Sequence, residues 1–229
     1  MKKLIIQKLC NNDMKKIISY AMCLSTCVAF YFASCAVYSP KAIAAPKVNF
    51  LEEYSEDLSQ IESYLNNIKN LSAKFIQESS DKSLVEGNFF LSRPGKMRIE
   101  YNAQPKILIV VNGSVLAYQD IELEETSYLS TNTTPASFLT RQNISFAAKD
   151  IEIINVKKSE GHIKVSVMKK NRKEAGEFSL IFSTNPLKFI KMEVKNDLDQ
   201  IVTVTLADTN FSSPLSKNLF VIKNKNLPQ

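Results

Sequence analysis

A mainly β fold is predicted by three features of this 229-residue chain. Apolar side chains recur at spacings of two from Leu71 onward, turn-forming residues cut that stretch into similar lengths, and a single helical pattern precedes it. Together they describe one meandering antiparallel sheet of about eleven strands, a long N-terminal helix and a short helical insertion. With 45% hydrophobic and 23% charged residues, the chain has the balance of a folded domain and is too short to require two.

The chain begins with Lys2, Lys3, Lys8, Lys15 and Lys16 against one acidic residue, Asp13, followed by an uncharged run from Ile17 to Tyr38. Ser39, Pro40 and Lys41 break the run, and Ala42-Ile43-Ala44 supplies small residues third from and next to a cleavage point. This is a secretory signal cut after Ala44, which leaves residues 45–229 as one domain. Met14-Lys15-Lys16 repeats Met1-Lys2-Lys3, so either methionine can be the start. Two other readings of the segment stand beside this one. The uncharged run is long enough to stay in a bilayer as an anchor, and Phe32-Ala33-Ser34-Cys35 is close to a lipobox that would acylate Cys35.

Removing residues 1 to 44 changes the arithmetic. That segment holds every cysteine (Cys10, Cys23, Cys27, Cys35), six of the 29 basic residues and one of the 23 acidic ones, so the remainder carries 23 against 22. Five of the six net positive charges, and with them the pI near 9.0, therefore belong to the leader and give no support for nucleic-acid binding. An exported, cysteine-free domain points to the periplasm.

Tyr54, Leu58, Ile61, Leu65 and Ile68 recur at helical spacing, with Glu52, Glu53, Glu56 and Asp57 in the first turns, where the helix dipole favours negative charge. The spacing predicts one amphipathic helix over residues 50 to 70. Met97, Ile99 and Tyr101 then alternate with Lys96, Arg98 and Glu100; Ile163, Val165 and Val167 alternate with Lys164 and Ser166; Phe178, Leu180 and Phe182 with Ser179 and Ser183. Turn signals fall at Arg93-Pro94-Gly95, Asn112-Gly113, Glu160-Gly161, Asn171 to Gly176, Asn185-Pro186 and Asp197 to Gln200. The insertion occupies residues 133 to 150. There Thr134 suits an N-cap and Pro135 a first helical position ahead of Ala136, Phe138 and Leu139, with a second turn near Ile144 to Lys149.

Catalytic chemistry finds little material. His162, the single imidazole, sits beside Gly161 at a turn and reads as a surface histidine. With one histidine and no cysteine in residues 45–229, zinc sites and the common nucleophile systems lack their parts, and five glycines include no phosphate-binding loop, so no metal, cofactor or enzymatic activity is expected. Asp120 with Glu122 and Asp197 with Asp199 read as solvated turn residues. The Asn-x-Ser/Thr matches at Asn70, Asn112, Asn132, Asn143 and Asn210 are chance in a chain rich in these residues. Lys157-Lys158 and Lys169-Lys170 with Arg172-Lys173 flank hairpin ends and form either one positive rim or ordinary charged tips; no stacking aromatics accompany them. A sheet of about eleven strands should curl, and helices roofing its inner face would leave either a filled core or an apolar hollow.

Several short motifs share an order. Phe75-Ile76-Gln77, Gly87 to Ser92, Arg93-Pro94-Gly95-Lys96-Met97-Arg98 with Tyr101 and Pro105, Asn112-Gly113 with Leu116, Tyr118 and Asp120, and Thr134-Pro135 before Phe138-Leu139 follow one another across residues 45–229. This succession resembles the LolA family of periplasmic lipoprotein carriers. Asn112 stands where an acidic turn residue is common, and Asp197-Leu198-Asp199-Gln200 lacks the usual glycine, departures that concern turn geometry. The resemblance implies an unclosed antiparallel β-barrel under a helical lid, enclosing an apolar cavity for lipoprotein acyl chains. It also implies a monomer that receives acylated lipoproteins from an inner-membrane ABC transporter of the LolCDE type and delivers them to the outer membrane, often through a LolB-type acceptor. A carrier of free lipid or glycolipid, and an envelope stress-sensing module, are alternatives on the same fold. Arg93 matches the family arginine that hydrogen-bonds lid backbone and keeps the empty cavity shut; a loop arginine paired with a nearby carboxylate is its other reading. Pro94 and Gly95 shape the turn that aims it. By alternation Phe89, Leu91, Met97, Ile99, Tyr101, Ile109, Val111 and Tyr118 face inward, Phe138 and Leu139 form the underside of the lid, and each is equally compatible with plain core. Met97 is the foremost ligand candidate, since a flexible thioether adapts to varied chains.

Overall fold

The computed structural model describes residues 49–172 and 175–221. The leader, its cleavage point and the four cysteines lie outside those residues. Two helices, α1 (Phe50–Glu53) and α2 (Ser55–Asn67), occupy the place of the single helix expected over residues 50 to 70. The break is at Tyr54, whose backbone leaves helical geometry (φ −115°, ψ 27°) although its N–H still reaches Phe50 O at 3.1 Å. Bending there brings Phe50 and Tyr54, both packed against the core, to a ring separation of 6.5 Å. Leu58, Ile61 and Leu65 are the buried stripe of α2. The helix stops at Asn67 because Ile68 turns into extended geometry, buries its own side chain and leads straight into the first strand.

Eleven strands follow: β1 (Asn70–Glu78), β2 (Leu84–Ser92), β3 (Lys96–Tyr101), β4 (Ile107–Asn112), β5 (Val115–Asp120), β6 (Glu125–Ser130), β7 (Ile151–Ser159), β8 (His162–Lys169), β9 (Glu177–Thr184), β10 (Leu187–Lys195) and β11 (Ile201–Asn210). They form one antiparallel sheet in the order β6-β5-β4-β3-β2-β1-β11-β10-β9-β8-β7. Each half is a run of hairpins, and pairing of the first strand with the last joins them, Phe75 opposite Leu206. Among the described residues β6 and β7 have a strand neighbour on one side only, so the sheet is an unclosed barrel. The chain between these edges carries a 3₁₀ turn (Thr131–Thr133) and α3 (Ala136–Leu139). Thr134 is not the N-cap of α3: its hydroxyl donates to Thr131 O at 2.9 Å, which takes it away from the helix start. The second helical turn expected near residues 144 to 149 is a pair of hydrogen-bonded turns, Ala148 N to Ser145 O and Ile151 N to Ala148 O, both 3.3 Å.

The core is one cluster on the inner face of the sheet, where α2, the insertion and nearly every strand contribute. A smaller cluster lies on the outer face. Leu108 and Val110 of β4 are buried there beneath Phe220, which a 3₁₀ turn (Lys217–Phe220) near the end of the described chain brings over them. Arg98 fastens that segment, donating to Leu219 O at 2.9 Å while pairing with Glu100 at 2.5 Å. The lysine pairs do not form one rim. Lys158 lies opposite Ile163 and Lys169 opposite Ile151, so they occupy opposite ends of the β7–β8 hairpin, about 20 Å apart at strand rise. Lys158 instead pairs with Asp57 of α2 at 2.8 Å, and Lys169 donates to Asn132 O at 2.7 Å.

Candidate functional site

Register assembles the inner face. Leu71, Leu91, Met97, Val111, Leu116 and Leu129 form one row across β1 to β6, and Ala73, Phe89, Ile99, Ile109, Tyr118 and Ser127 form the next. Directly opposed residues share a face, so all eight strand candidates lie on the same side. Phe89, Leu91, Met97 and Val111 are fully packed, Val111 with no accessible surface, while Ile99, Tyr101 and Ile109 border the cluster half-buried. Tyr118 is 41% exposed. One end of the rows is thus covered and the other open to solvent. In the next row along, Gly87 leaves the space in which Phe75 and Tyr101 meet edge to face at 5.4 Å, and Tyr101 Oη donates to Gln77 Oε1 at 2.8 Å.

The cover is the segment from Thr131 to Asp150. Phe138 and Leu139 of α3 are buried on its underside together with Ile144 and Phe146. Phe138 stacks near Phe146 (5.7 Å) and meets Phe178 of β9 at 6.1 Å. Side chains of the lid and the sheet therefore pack against one another at Phe138 in this conformation. A small cavity of about 20 Å³ remains beside Phe138, lined among others by Arg141, Ile151, Val167, Lys169 and Phe178.

Polar groups hold the same segment from outside. The Arg93 guanidinium reaches both bodies: Nε donates to Arg141 O at 2.8 Å and Nη2 to Gln142 O at 3.2 Å on the lid, while Nη1 donates to Leu65 O and to Ile68 O at 3.4 Å and Nη2 to Asn66 Oδ1 at 3.1 Å on α2. No carboxylate lies within ion-pair distance of Arg93 among the described residues, so the reading of a locally paired arginine is not what the geometry shows. Its partial burial lowers the guanidinium pKa from the usual value while five acceptor contacts satisfy the donors. Pro94 and Gly95 form the turn after β2, and Gly95, at φ +78°, donates its N–H to Thr140 O at 2.7 Å.

Two residues that the sequence reading missed complete the fastening. Asn66 pairs with Ile144 in both directions, Nδ2 to Ile144 O at 2.9 Å and Ile144 N to Oδ1 at 2.8 Å, and Glu62 Oε1 accepts from Phe146 N at 2.5 Å. Glu62 and Asn66 are four residues apart, one helical turn, and so share an edge of α2 beside its apolar stripe. That spacing was the available signal. At the far end of the lid, Arg141 forms a two-pronged pair with Asp150 and lies over the Phe138 ring at 5.6 Å. The arrangement is an apolar face under a cover whose main chain is tied down by side-chain hydrogen bonds. It has the parts for enclosing apolar material and, among the described residues, no cluster of three or more His, Asp or Glu side chains able to hold a metal.

Residues 66–223 match the family described as outer membrane lipoprotein carrier protein LolA. The chain is 27% identical over 191 residues to an outer-membrane lipoprotein carrier protein of Coxiella burnetii, covering 74% of this chain and 83% of that protein. It is 25% identical over 167 residues to an uncharacterized protein of Rickettsia prowazekii, covering 73% and 76%. A LolA superfamily protein from Nitrosomonas europaea aligns in three dimensions over 72% of this chain and 97% of that one, at a TM-score of 0.42 and 9% identity.

Proposed function

The chain belongs to the LolA family, and from that premise we propose that it carries lipoproteins across the periplasm with their acyl chains against the inner-face rows of the sheet. In this reading residues 1 to 44 are the export signal, the cargo is received as a monomeric complex from an inner-membrane ABC transporter of the LolCDE type, and it is delivered to the outer membrane, with a LolB-type acceptor where one exists. The role is binding and transfer, with no bond made or broken.

The observation that supports this reading is how the lid is fastened. Its apolar side chains, Phe138, Leu139, Ile144 and Phe146, are buried in one cluster with Phe89, Leu91, Met97 and Val111, yet its backbone is tied by Glu62, Asn66 and Arg93. Each hydrogen bond exchanged for water costs about 1 kcal/mol net, whereas each acyl CH₂ taken out of water returns about 0.8 kcal/mol. Acyl chains can therefore replace the lid as the cover of the inner face, and when they leave the lid can return. Arg93, with Pro94 aiming it, favours the closed state and so favours release.

Native mass spectrometry of the protein taken from its own periplasm tests this. Masses of intact acylated lipoproteins are expected on the protein. Phospholipid or glycolipid without protein would make it a free-lipid carrier, and a stoichiometric unacylated protein partner would make it an interaction module; either result overturns the lipoprotein reading.

A further inference from the structure

The two edges of the sheet are guarded unequally. β7 carries Glu152, Lys157 and Lys158, has a register irregularity between Ile153 and Asn155, and is packed by α1. Charge, a bulge and a cover are the devices that stop a sheet edge from recruiting another strand. β6 lacks them. Its sequence, Glu125 to Ser130, contains no lysine or proline, keeps regular register with β5 from end to end, and exposes Tyr128 and Leu129 by 54% and 51%.

Thr131 N donates to Ser114 O of the β5 side at 2.8 Å. Since peptide groups alternate along a strand, residues 129, 127 and 125 also turn theirs toward β5, and Thr126, Tyr128 and Ser130 turn theirs away from the sheet. Ser130 O accepts from Thr133 Oγ1 at 2.7 Å, which leaves the Ser130 N–H and both peptide groups of Thr126 and Tyr128 facing outward. The same strand finishes the inner-face rows: Leu129 follows Leu116, and Ser127 follows Tyr118. A chain leaving those rows over this side of the barrel passes a strand edge that has no strand partner among the described residues.

We propose that β6 accepts, as an added strand, the stretch of cargo polypeptide that directly follows the acylated residue. The inference rests on the carrier reading above. Main-chain pairing takes affinity from the peptide groups and asks little of the side chains, which suits a carrier whose cargoes differ in sequence. Continuity with the acyl rows selects this occupant: the acylated residue on the inner face fixes where the following residues begin, and at about 3.3 Å per residue about five of them run the length of β6.

The test uses the purified protein and two synthetic probes, a dipalmitoylglyceryl cysteine amide and the same lipid on a cysteine extended by five Ser/Asn residues. The extension is expected to tighten binding about tenfold, and Tyr128→Pro, which removes an outward N–H at an edge position where proline is tolerated, brings the ratio of the two affinities to about one. Tyr128→Ala keeps the N–H and retains the ratio. If the short probe binds and the extension adds nothing in the parent protein, the edge proposal is overturned while the carrier reading stands; failure of the short probe to bind sinks both. Should Tyr128→Pro not fold, disulfide trapping decides. Tyr128→Cys paired with cysteine at successive extension positions gives yields alternating with period two if a strand forms, and uniform yields overturn it. A dimer in sedimentation that Tyr128→Pro splits would assign the edge to a second copy and likewise overturn the proposal.

Discussion

Replacing Arg93 by leucine should release the lid and leave the sheet folded. Of the hydrogen bonds made by Arg93, only those to Arg141 O (2.8 Å) and Gln142 O (3.2 Å) cross to the lid; the others stay with α2. Opening therefore breaks two bonds from this residue. Bonds to a charged donor contribute about 1.5–3 kcal/mol each, and the half-buried setting and the longer second bond place these at the low end, so Arg93→Leu should ease opening by about 2–3 kcal/mol. At 1.36 kcal/mol per decade this is an increase of about 30- to 150-fold in the open population. Amide exchange reads it directly. The N–H groups of Ile144 and Phe146 are bonded to Asn66 Oδ1 and Glu62 Oε1, so they exchange when the lid leaves α2, whereas Val165 and Leu180 lie in the body of the sheet. Faster exchange confined to the lid amides is expected, with weaker delivery of cargo because the closed state no longer competes. Rates at Ile144 and Phe146 within about threefold of the parent would refute the reasoning, as would equal acceleration at Val165.

Other consequences can be checked alongside. Asn66→Ala removes both bonds to Ile144 and one acceptor of Arg93; lid exchange should rise by about tenfold or more, and in a double-mutant cycle with Arg93→Leu the effects should couple by about 0.5–3 kcal/mol, strict additivity arguing against a shared latch. Gly87→Ala would place a Cβ 2.1 Å from Glu100 O and 2.5 Å from the Phe75 ring, so it should cost about 3 kcal/mol in urea unfolding; an unchanged midpoint would mean that β2 and β3 yield freely. Burial alone would raise the Asp150 pKa, but the hydrogen bond and charge of Arg141 outweigh it and hold the carboxyl below its usual value. A lowered folded pKa gives stability that is present above the unfolded value of about 3.9 and lost as pH falls through the folded one. Lid exchange, corrected for its intrinsic rate, should therefore show no change due to Asp150 between about pH 5 and 8 and a loosening below about pH 4 that Asp150→Asn abolishes; a step near pH 6 that disappears in Asp150→Asn would contradict the assignment.

Much of the architecture was legible because alternation is a local property. Met97, Ile99 and Tyr101 announce their strand and its inner face within six residues, and Asn112-Gly113 announces the turn between β4 and β5. The bend at Tyr54 was not legible, since the helical spacing runs through it and the cause is the packing of Phe50 and Tyr54 on distant residues. The outer cluster left a trace: Ile107 to Val111 is apolar at every position, the pattern of a strand covered on both faces. What covers it, Phe220, lies more than a hundred residues away and no spacing reveals it. The candidate site divides in the same manner. The inner-face residues follow from alternation, and Arg93 from its motif, but Glu62 and Asn66 are ordinary polar residues on a helix whose partners are backbone groups of a loop. The lysine pairs misled because sequence proximity to hairpin turns does not say at which end of the sheet a turn lies.

Pairing of β1 with β11 also sets the order in which the protein can assemble. Every other strand contact joins neighbours along the chain, so β1 to β6 and β7 to β11 can each zip up as local hairpins, while Phe75 must find Leu206 across more than a hundred residues. Closing so long a loop is the slow step for such a topology. Until the last strand has entered, two half-sheets exist with their apolar faces uncovered, and the lid between them has one wall to close against. The seam in the middle of the sheet is thus the final part of the inner face to form, and an emerging chain is most exposed to aggregation just before residue 210 is in place.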